Sequence, residues 1–195
     1  MRFNPDIHHR RSIRLKNYDY SSNGMYFVTI CAQNREMLFR RIVGAALRGR
    51  PDDDSNRIDK ADGRPDDDDN GFASPDQMIT KWLMETENKF LGVRIDKFVV
   101  MPNHIHFIVD LQGGHVGPPL PEIVEWFKTM TTNEFIRKVK SGLYPPFDRR
   151  IWQRDYFEHI IRDEADYQRI WKYIDDNPAR WEEDRYYMAD VLNKS

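Results

Sequence analysis

The most strongly patterned part of the chain runs from Val93 to Leu111, two apolar runs joined by Met101-Pro102-Asn103. The second run alternates. Ile105, Phe107, Val109 and Leu111 fall on one face, and His104, His106 and Asp110 on the other, as in a strand with one side toward a core. Tyr26 to Gln33, YFVTICAQ, reads as another strand from its β-branched and aromatic content. Asp76 to Phe90 is predicted to be a helix. Met78, Ile79, Trp82 and Leu83 make its stripe, and the run ends near Gly92. Pro121 to Lys140 is a second helix, apolar at Ile123, Val124, Phe127, Phe135, Ile136 and Val139, and basic at Lys128, Arg137, Lys138 and Lys140. After a Pro-broken connector, Ile151 to Ile161 has strand-like stretches. A final helix opens at Asp163, a good N-cap, and buries Tyr167, Ile170, Trp171 and Ile174. It must stop at Asn177, because Pro178 follows. Strand, helix, strand, strand, helix, strand and an extra helix predict an α+β, ferredoxin-like fold. Such a fold is an antiparallel sheet with helices on one face.

Composition modifies this picture in one place. Gly49-Arg50-Pro51-Asp52-Asp53-Asp54-Ser55-Asn56 is nearly repeated as Gly63-Arg64-Pro65-Asp66-Asp67-Asp68-Asp69-Asn70. Residues 44–75 therefore read as an acidic, Gly/Pro-punctuated loop inserted into a single domain spanning 1–195. The net charge of −2 misleads, because residues 52–69 hold nine Asp against Arg57, Lys60 and Arg64, and the rest of the chain is basic. The EF-hand spacing is absent from the aspartates. No apolar run approaches the ~20 residues of a membrane span, and no signal-peptide pattern is present. Cys31 is the only cysteine. It reads as buried filler in a strand, and a reducing cytoplasm is the expected location. The charged and aromatic tail, Trp181 to Ser195, has no readable role.

Two imidazoles two residues apart on a strand point the same way, with Cβ atoms roughly 6.5–7 Å apart. That spacing lets His104 and His106 reach one metal ion. It also fits two core histidines satisfied by hydrogen bonds, or a zinc or iron site of another kind. Neither HExxH nor a CxxC pair is present. A third ligand from an amide or carboxylate oxygen would suit Mg²⁺ or Mn²⁺. On the final helix, Tyr173 and Asn177 are four residues apart and share a face, with Arg169 one turn earlier. By itself that is an ordinary exposed helix face.

The strand VVMPNHIHFIV, followed some 60 residues later by WKYIDDNPARW, resembles the HUH (Y1, IS200-like) single-strand transposases. Their REP-associated tyrosine transposase branch is the nearest in pattern. RRSIRLKNYDYSSNGMYFVTI near the start and WQRDYFEHIIRDEADY before the helix extend the likeness. The acidic repeat departs from it. The resemblance implies His104, His106 and Asn177 as ligands of a divalent metal, Mg²⁺ or Mn²⁺, and Tyr173 as the nucleophile. It implies cleavage and rejoining of single-stranded, hairpin-bearing DNA through a 5′-phosphotyrosine, by a monomer rather than a dimer. A non-cleaving DNA-binding or regulatory protein of the same fold is the alternative, and a metallohydrolase using activated water is a third reading. Tyr156 is the rival nucleophile. For DNA phosphates the candidates are Arg10, Arg11, Arg14 and Lys16 on an N-terminal arm, and Arg154, His159, Arg162, Arg169 and Lys172 nearer the site in sequence. Ion pairs to Asp155, Glu158, Asp163 or Glu164 are the structural alternative for these five.

Overall fold

A computed structural model describes residues 23–39, 43–47, 74–112 and 117–187, with 43–47 described through the backbone. Five strands and three helices follow one another as β1 (Gly24–Cys31), β2 (Val43–Leu47), α1 (Pro75–Lys89), β3 (Val93–Met101), β4 (His104–Leu111), α2 (Leu120–Lys140), β5 (Phe157–Ile161) and α3 (Glu164–Asp176). The sheet is antiparallel in the order β2-β3-β4-β1-β5. Without β2 this is the ferredoxin-like arrangement expected from the sequence.

β2 is an addition. Residues 44–47, assigned above to the acidic insertion, form an edge strand on β3. Gly44, Ala45 and Ala46 carry neither β-branched nor aromatic side chains, so nothing in their composition marked a strand. The repeats at 49–70, the arm at 1–22 and the loop containing His115 lie outside the described residues.

The two faces of the sheet are unequal. On one, Tyr26, Val28, Ile30, Phe98, Val100, Ile105, Phe107 and Val109 pack with Met78, Ile79 and Leu83 of α1 and Leu120, Ile123, Val124, Phe127 and Phe135 of α2. The Trp126 ring stands edge-on to Trp82, and Trp82 Nε1 donates to Glu134 at 2.6 Å, joining the two helices. The opposite face carries α3, held by a smaller cluster of Phe27, Val99, Met101, Ile108, Ile170 and Ile174. α1 and α2 share one face, as the ferredoxin-like arrangement requires, and the extra helix α3 takes the other. A bulge in β3 between Ile95 and Lys97 sets that second face. The extra residue, Asp96, accepts from the Tyr167 hydroxyl at 2.8 Å. Beyond it, Lys97, Val99 and Met101 alternate toward α3.

Lys97 is wholly buried. Its Nζ lies 2.5 Å from Asp175 Oδ1 and 3.3 Å above the Trp171 ring centroid. Burial lowers its pKa, and the hydrogen bond to Asp175 works against that. The pair is asymmetric, because the Asp175 side chain is 43% exposed. Asp175→Ala is expected to cost about 3 kcal/mol in urea unfolding, since it strands a buried ammonium. Lys97→Met, which leaves a carboxylate that water can reach, is expected to cost under about 1.5 kcal/mol. Equal losses would show that the pair does not fasten α3 in this way.

Candidate metal and nucleophile site

β4 is an interior strand, and its even-numbered residues face α3. A two-residue turn, Pro102-Asn103, joins it to β3. The turn is tied down by Ala32 N donating to Asn103 O at 2.7 Å and Phe39 N to Pro102 O at 3.0 Å. His104 and His106 are both buried, with Nε2 atoms 2.9 Å apart. Each ring is fixed from behind. Asn103 is fully buried; its Nδ2 donates to the carbonyls of Tyr186 (2.9 Å) and Arg35 (3.3 Å), which turns its Oδ1 toward His104 Nδ1 at 2.8 Å. The proton of His104 therefore sits on Nδ1, and Nε2 presents a lone pair to the site. Thr29 Oγ1 stands 2.7 Å from His106 Nδ1 and orients the second ring. The carbonyl of Arg35 reaches Asn103 from a turn in which Asn34 and Arg35 both take left-handed backbone conformations, φ 54° and 56°.

α3 supplies the other side. Asp163 caps it, accepting from Asp166 N at 2.9 Å, and the helix ends before Asn177-Pro178 as the sequence requires. Tyr173 is 39% exposed, its ring edge-on to Phe27 and to His106. Its hydroxyl is 3.2 Å from His106 Nε2 and donates to Asp184 Oδ2 at 3.2 Å. Asn177 Nδ2 donates to the same oxygen at 2.8 Å, whereas its Oδ1 is buried with no hydrogen-bond partner among the described residues. Burial, followed by the neighbouring Asp184 carboxylate, pushes the Tyr173 phenol well above its ordinary range.

Residues 184–186, for which the sequence offered no role, complete this pocket. Asp184 accepts from Tyr186 N at 2.6 Å, and the Tyr186 ring packs on His104. Ligand atoms of His104, His106 and Asp184 all lie within 4.8 Å of one another. The Nε2 lone pair of His104, the His106 imidazole, the Asp184 carboxylate and the Asn177 amide oxygen stand together in this pocket. Nitrogen and oxygen ligands of this kind fit a divalent ion. Four of the sequence candidates thus converge: His104, His106, Tyr173 and Asn177.

The phosphate candidates separate. His159 Nε2 lies 2.7 Å from Asp166, and Arg169 pairs with the same carboxylate. Lys172 pairs with Asp176 at 3.0 Å. Their partners are Asp166 and Asp176, not the acids expected from sequence. Arg162 is exposed beside the α3 N-terminus, donating to Asp166 through its backbone N–H at 3.4 Å. Arg154 lies elsewhere, in a groove against α2. Tyr156 packs with the core under α1 and α2 rather than the cluster under α3, which separates it from the histidines. Arg10, Arg11, Arg14 and Lys16 lie outside the described residues. Cys31 is buried, and burial pushes its thiol up to about 11, consistent with inert filler.

The histidines carry a pH dependence. Burial lowers both, His104 from 6.5 to about 4 and His106 well below its ordinary value. An unfolded chain binds protons here that the folded chain refuses. The stability they contribute is full above the unfolded value and is lost as pH falls from 6.5 toward 4. For His104 alone the complete loss is roughly 3 kcal/mol. The melting temperature is expected to drop already between about pH 6.5 and pH 5, above the range in which most carboxylates titrate. A flat profile across that interval would place the imidazoles in contact with water.

Residues 74–177 match the family model described as "Transposase IS200 like". An uncharacterized protein of Haemophilus influenzae is 36% identical over 202 residues, covering 96% of this chain and 98% of its own. The solved structure of a REP-associated tyrosine transposase bound to a REP hairpin superposes with a TM-score of 0.52 at 19% identity, over 88% of this chain and 74% of that one. At that identity the likeness speaks for the fold. No helix among the described residues is long and apolar enough to cross a membrane.

Proposed function

The chain belongs to the IS200-like transposase family, and from that premise we propose that it is a metal-dependent endonuclease and strand transferase for single-stranded DNA bearing REP-like hairpins, with Tyr173 as nucleophile. The observation that carries this reading is the Tyr173 hydroxyl, 3.2 Å from both His106 Nε2 and Asp184 Oδ2, beside the unpartnered Oδ1 of Asn177. His104, His106 and Asn177, with Asp184 alongside, would hold the ion. A bound Mg²⁺ or Mn²⁺ would neutralise the scissile phosphate and polarise it.

The chain's own groups account for the proton and the orientation. Tyr173 Oη forms the bond to phosphorus as the bond from phosphorus to the 3′ oxygen breaks. The phenolic proton passes to the Asp184 carboxylate it already contacts, and from there to the departing 3′ oxygen, which leaves as a hydroxyl. The phosphodiester energy stays in the phosphotyrosine, so a second 3′-OH reverses the step on another end without ATP. Phe27 and His106 hold the ring of Tyr173 in place. Arg162, Arg169 and Lys172 are exposed on and beside α3, where cations would meet the flanking phosphates, with His159 behind them. The chain acts as a monomer in this reading.

The test is incubation with hairpin-bearing single-stranded DNA from repeats flanking the gene, with and without Mn²⁺, followed by denaturing electrophoresis. A metal-dependent covalent protein–DNA band is expected. Tight, salt-sensitive binding with no band would instead favour a DNA-binding protein that does not cleave.

A further inference from the structure

A second concave site lies on the other face of the molecule. A groove of about 520 Å³ runs between one side of α2 (Glu125, Lys128, Thr129, Thr132, Asn133) and the segment 149–156. That volume is within the roughly 300–1,000 Å³ of small-ligand sites. It holds one nucleotide comfortably and no length of duplex.

Its lining is built for an anion with an attached ring. Arg149, Arg150 and Arg154 stand along it and are exposed. Among the described residues the guanidiniums of Arg150 and Arg154 have no ion-pair partner, and the Arg149 guanidinium reaches only Asp148, at 3.9 Å. Arg149 is also held in a left-handed backbone conformation, φ 60°, which costs a side-chain-bearing residue about 1 kcal/mol or more. The floor is rigid. Lys128 Nζ donates to the carbonyls of Gln153 and Arg154 at 3.0 and 3.1 Å and lies 5.2 Å from the Tyr156 ring centroid. Trp152 Nε1 donates to Thr131 at 2.8 Å, and Gln153 N to Cys31 O at 2.9 Å. Lys128 is thus spent on the floor, and the arginines are left for a partner. Glu125 and Asp155 are fewer than the cations and do not cancel them.

The groove ends at Tyr156, one residue before β5. Tyr156 packs with the core on the α2 face. The next residue, Phe157, is on the opposite face, 6.2 Å from Phe27 and 40% exposed, with the Arg185 guanidinium 5.4 Å above its ring. β5 is an edge strand, so nothing in the sheet bars a chain passing over its start from one face to the other.

We infer that this groove is a second DNA contact, in which Arg149, Arg150 and Arg154 take the phosphates of a single-stranded segment and one unpaired nucleotide sits against Tyr156 and Asn133, while the same strand crosses β5 toward Tyr173. The inference rests on the DNA-processing reading above but not on cleavage. Arginine forks suit phosphate oxygens, and aromatic rings accept bases of any sequence.

The experiment is fluorescence anisotropy of the full chain with two labelled probes, oligo(dT) and a DNA hairpin with a single-stranded extension, across a salt series. Arg150→Ala/Arg154→Ala is expected to weaken binding of both about tenfold and to flatten the log–log salt slope by roughly one to two units, with Mn²⁺ affinity unchanged. Arg149→Gly is expected to melt higher than the parent, because glycine adopts the left-handed conformation without strain, and yet to bind DNA less tightly. A structural role alone would not produce those opposite signs. Unchanged affinity and slope in both variants, with melting intact, would overturn the inference. If the parent binds through the groove but forms no covalent adduct, the groove stands and the proposed reaction falls. If the adduct forms while the variants bind normally, the reverse holds.

Discussion

Tyr173→Phe is expected to abolish the covalent protein–DNA product and to leave hairpin affinity and melting temperature unchanged. The substitution removes one oxygen. The ring contacts with Phe27 and His106 are those of a phenyl group and survive. Asp184 keeps its bonds from Asn177 Nδ2 and Tyr186 N, so the pocket does not collapse. Loss of a nucleophile from an assembled site lowers turnover by about 10⁴ or more. The measurement is single-turnover cleavage of a hairpin substrate resolved on a denaturing gel, with binding followed separately. Cleavage that continues without a covalent band would make water the nucleophile and the histidine site a metallohydrolase.

His106→Ala is expected to have the second largest effect, and on a different observable. His106 is in contact with His104, Thr29, Tyr173 and Phe27, so its loss removes a ligand and unseats the nucleophile together. Mn²⁺ affinity measured by calorimetry should fall by more than 100-fold, beyond the 10–100-fold that loss of an outer partner costs. Asn103→Ala, which spares both imidazoles but frees His104 to rotate, should fall within that smaller range. Stability should move the other way in His106→Ala at acid pH, because a group that resists protonation has been removed. Metal binding untouched by His106→Ala would refute the proposed ion site.

The sequence carried the frame of this site and missed its closure. Alternation in β4 predicted which residues meet the core and that both histidines point the other way, and Asn177-Pro178 predicted the end of α3. These succeed because period and proline stereochemistry act locally. Asp184 and Tyr186 gave no such signal. They lie in a short, charged segment without period, and only the turn after Pro178 returns them to the histidines. Asn103 looked like a turn residue, and its buried amide is defined by carbonyls 68 and 83 residues away in the chain. Asp166 gathers His159 and Arg169 for the same reason: pairing depends on where β5 lies beside α3, which spacing does not encode. The bulge lies where Asp96 and Lys97 interrupt the apolar run of β3, and two adjacent charges do not by themselves distinguish a bulge from an exposed stretch of strand.

The unequal faces of the sheet bear on how the molecule breathes. The histidines sit on β4, hydrogen-bonded on both sides by β1 and β3, over the large core. Amides in that setting open only when the whole domain unfolds. Tyr173 and Asn177 ride on α3, held by a handful of apolar side chains, the Tyr167–Asp96 bond and the Lys97–Asp175 pair. Helices held in this way detach in partial openings well below the global free energy. The pocket is therefore assembled across a seam between a permanent wall and a detachable one. A nucleophile on the detachable wall has freedom to travel with whatever is bonded to it while its imidazole partners stay where they are.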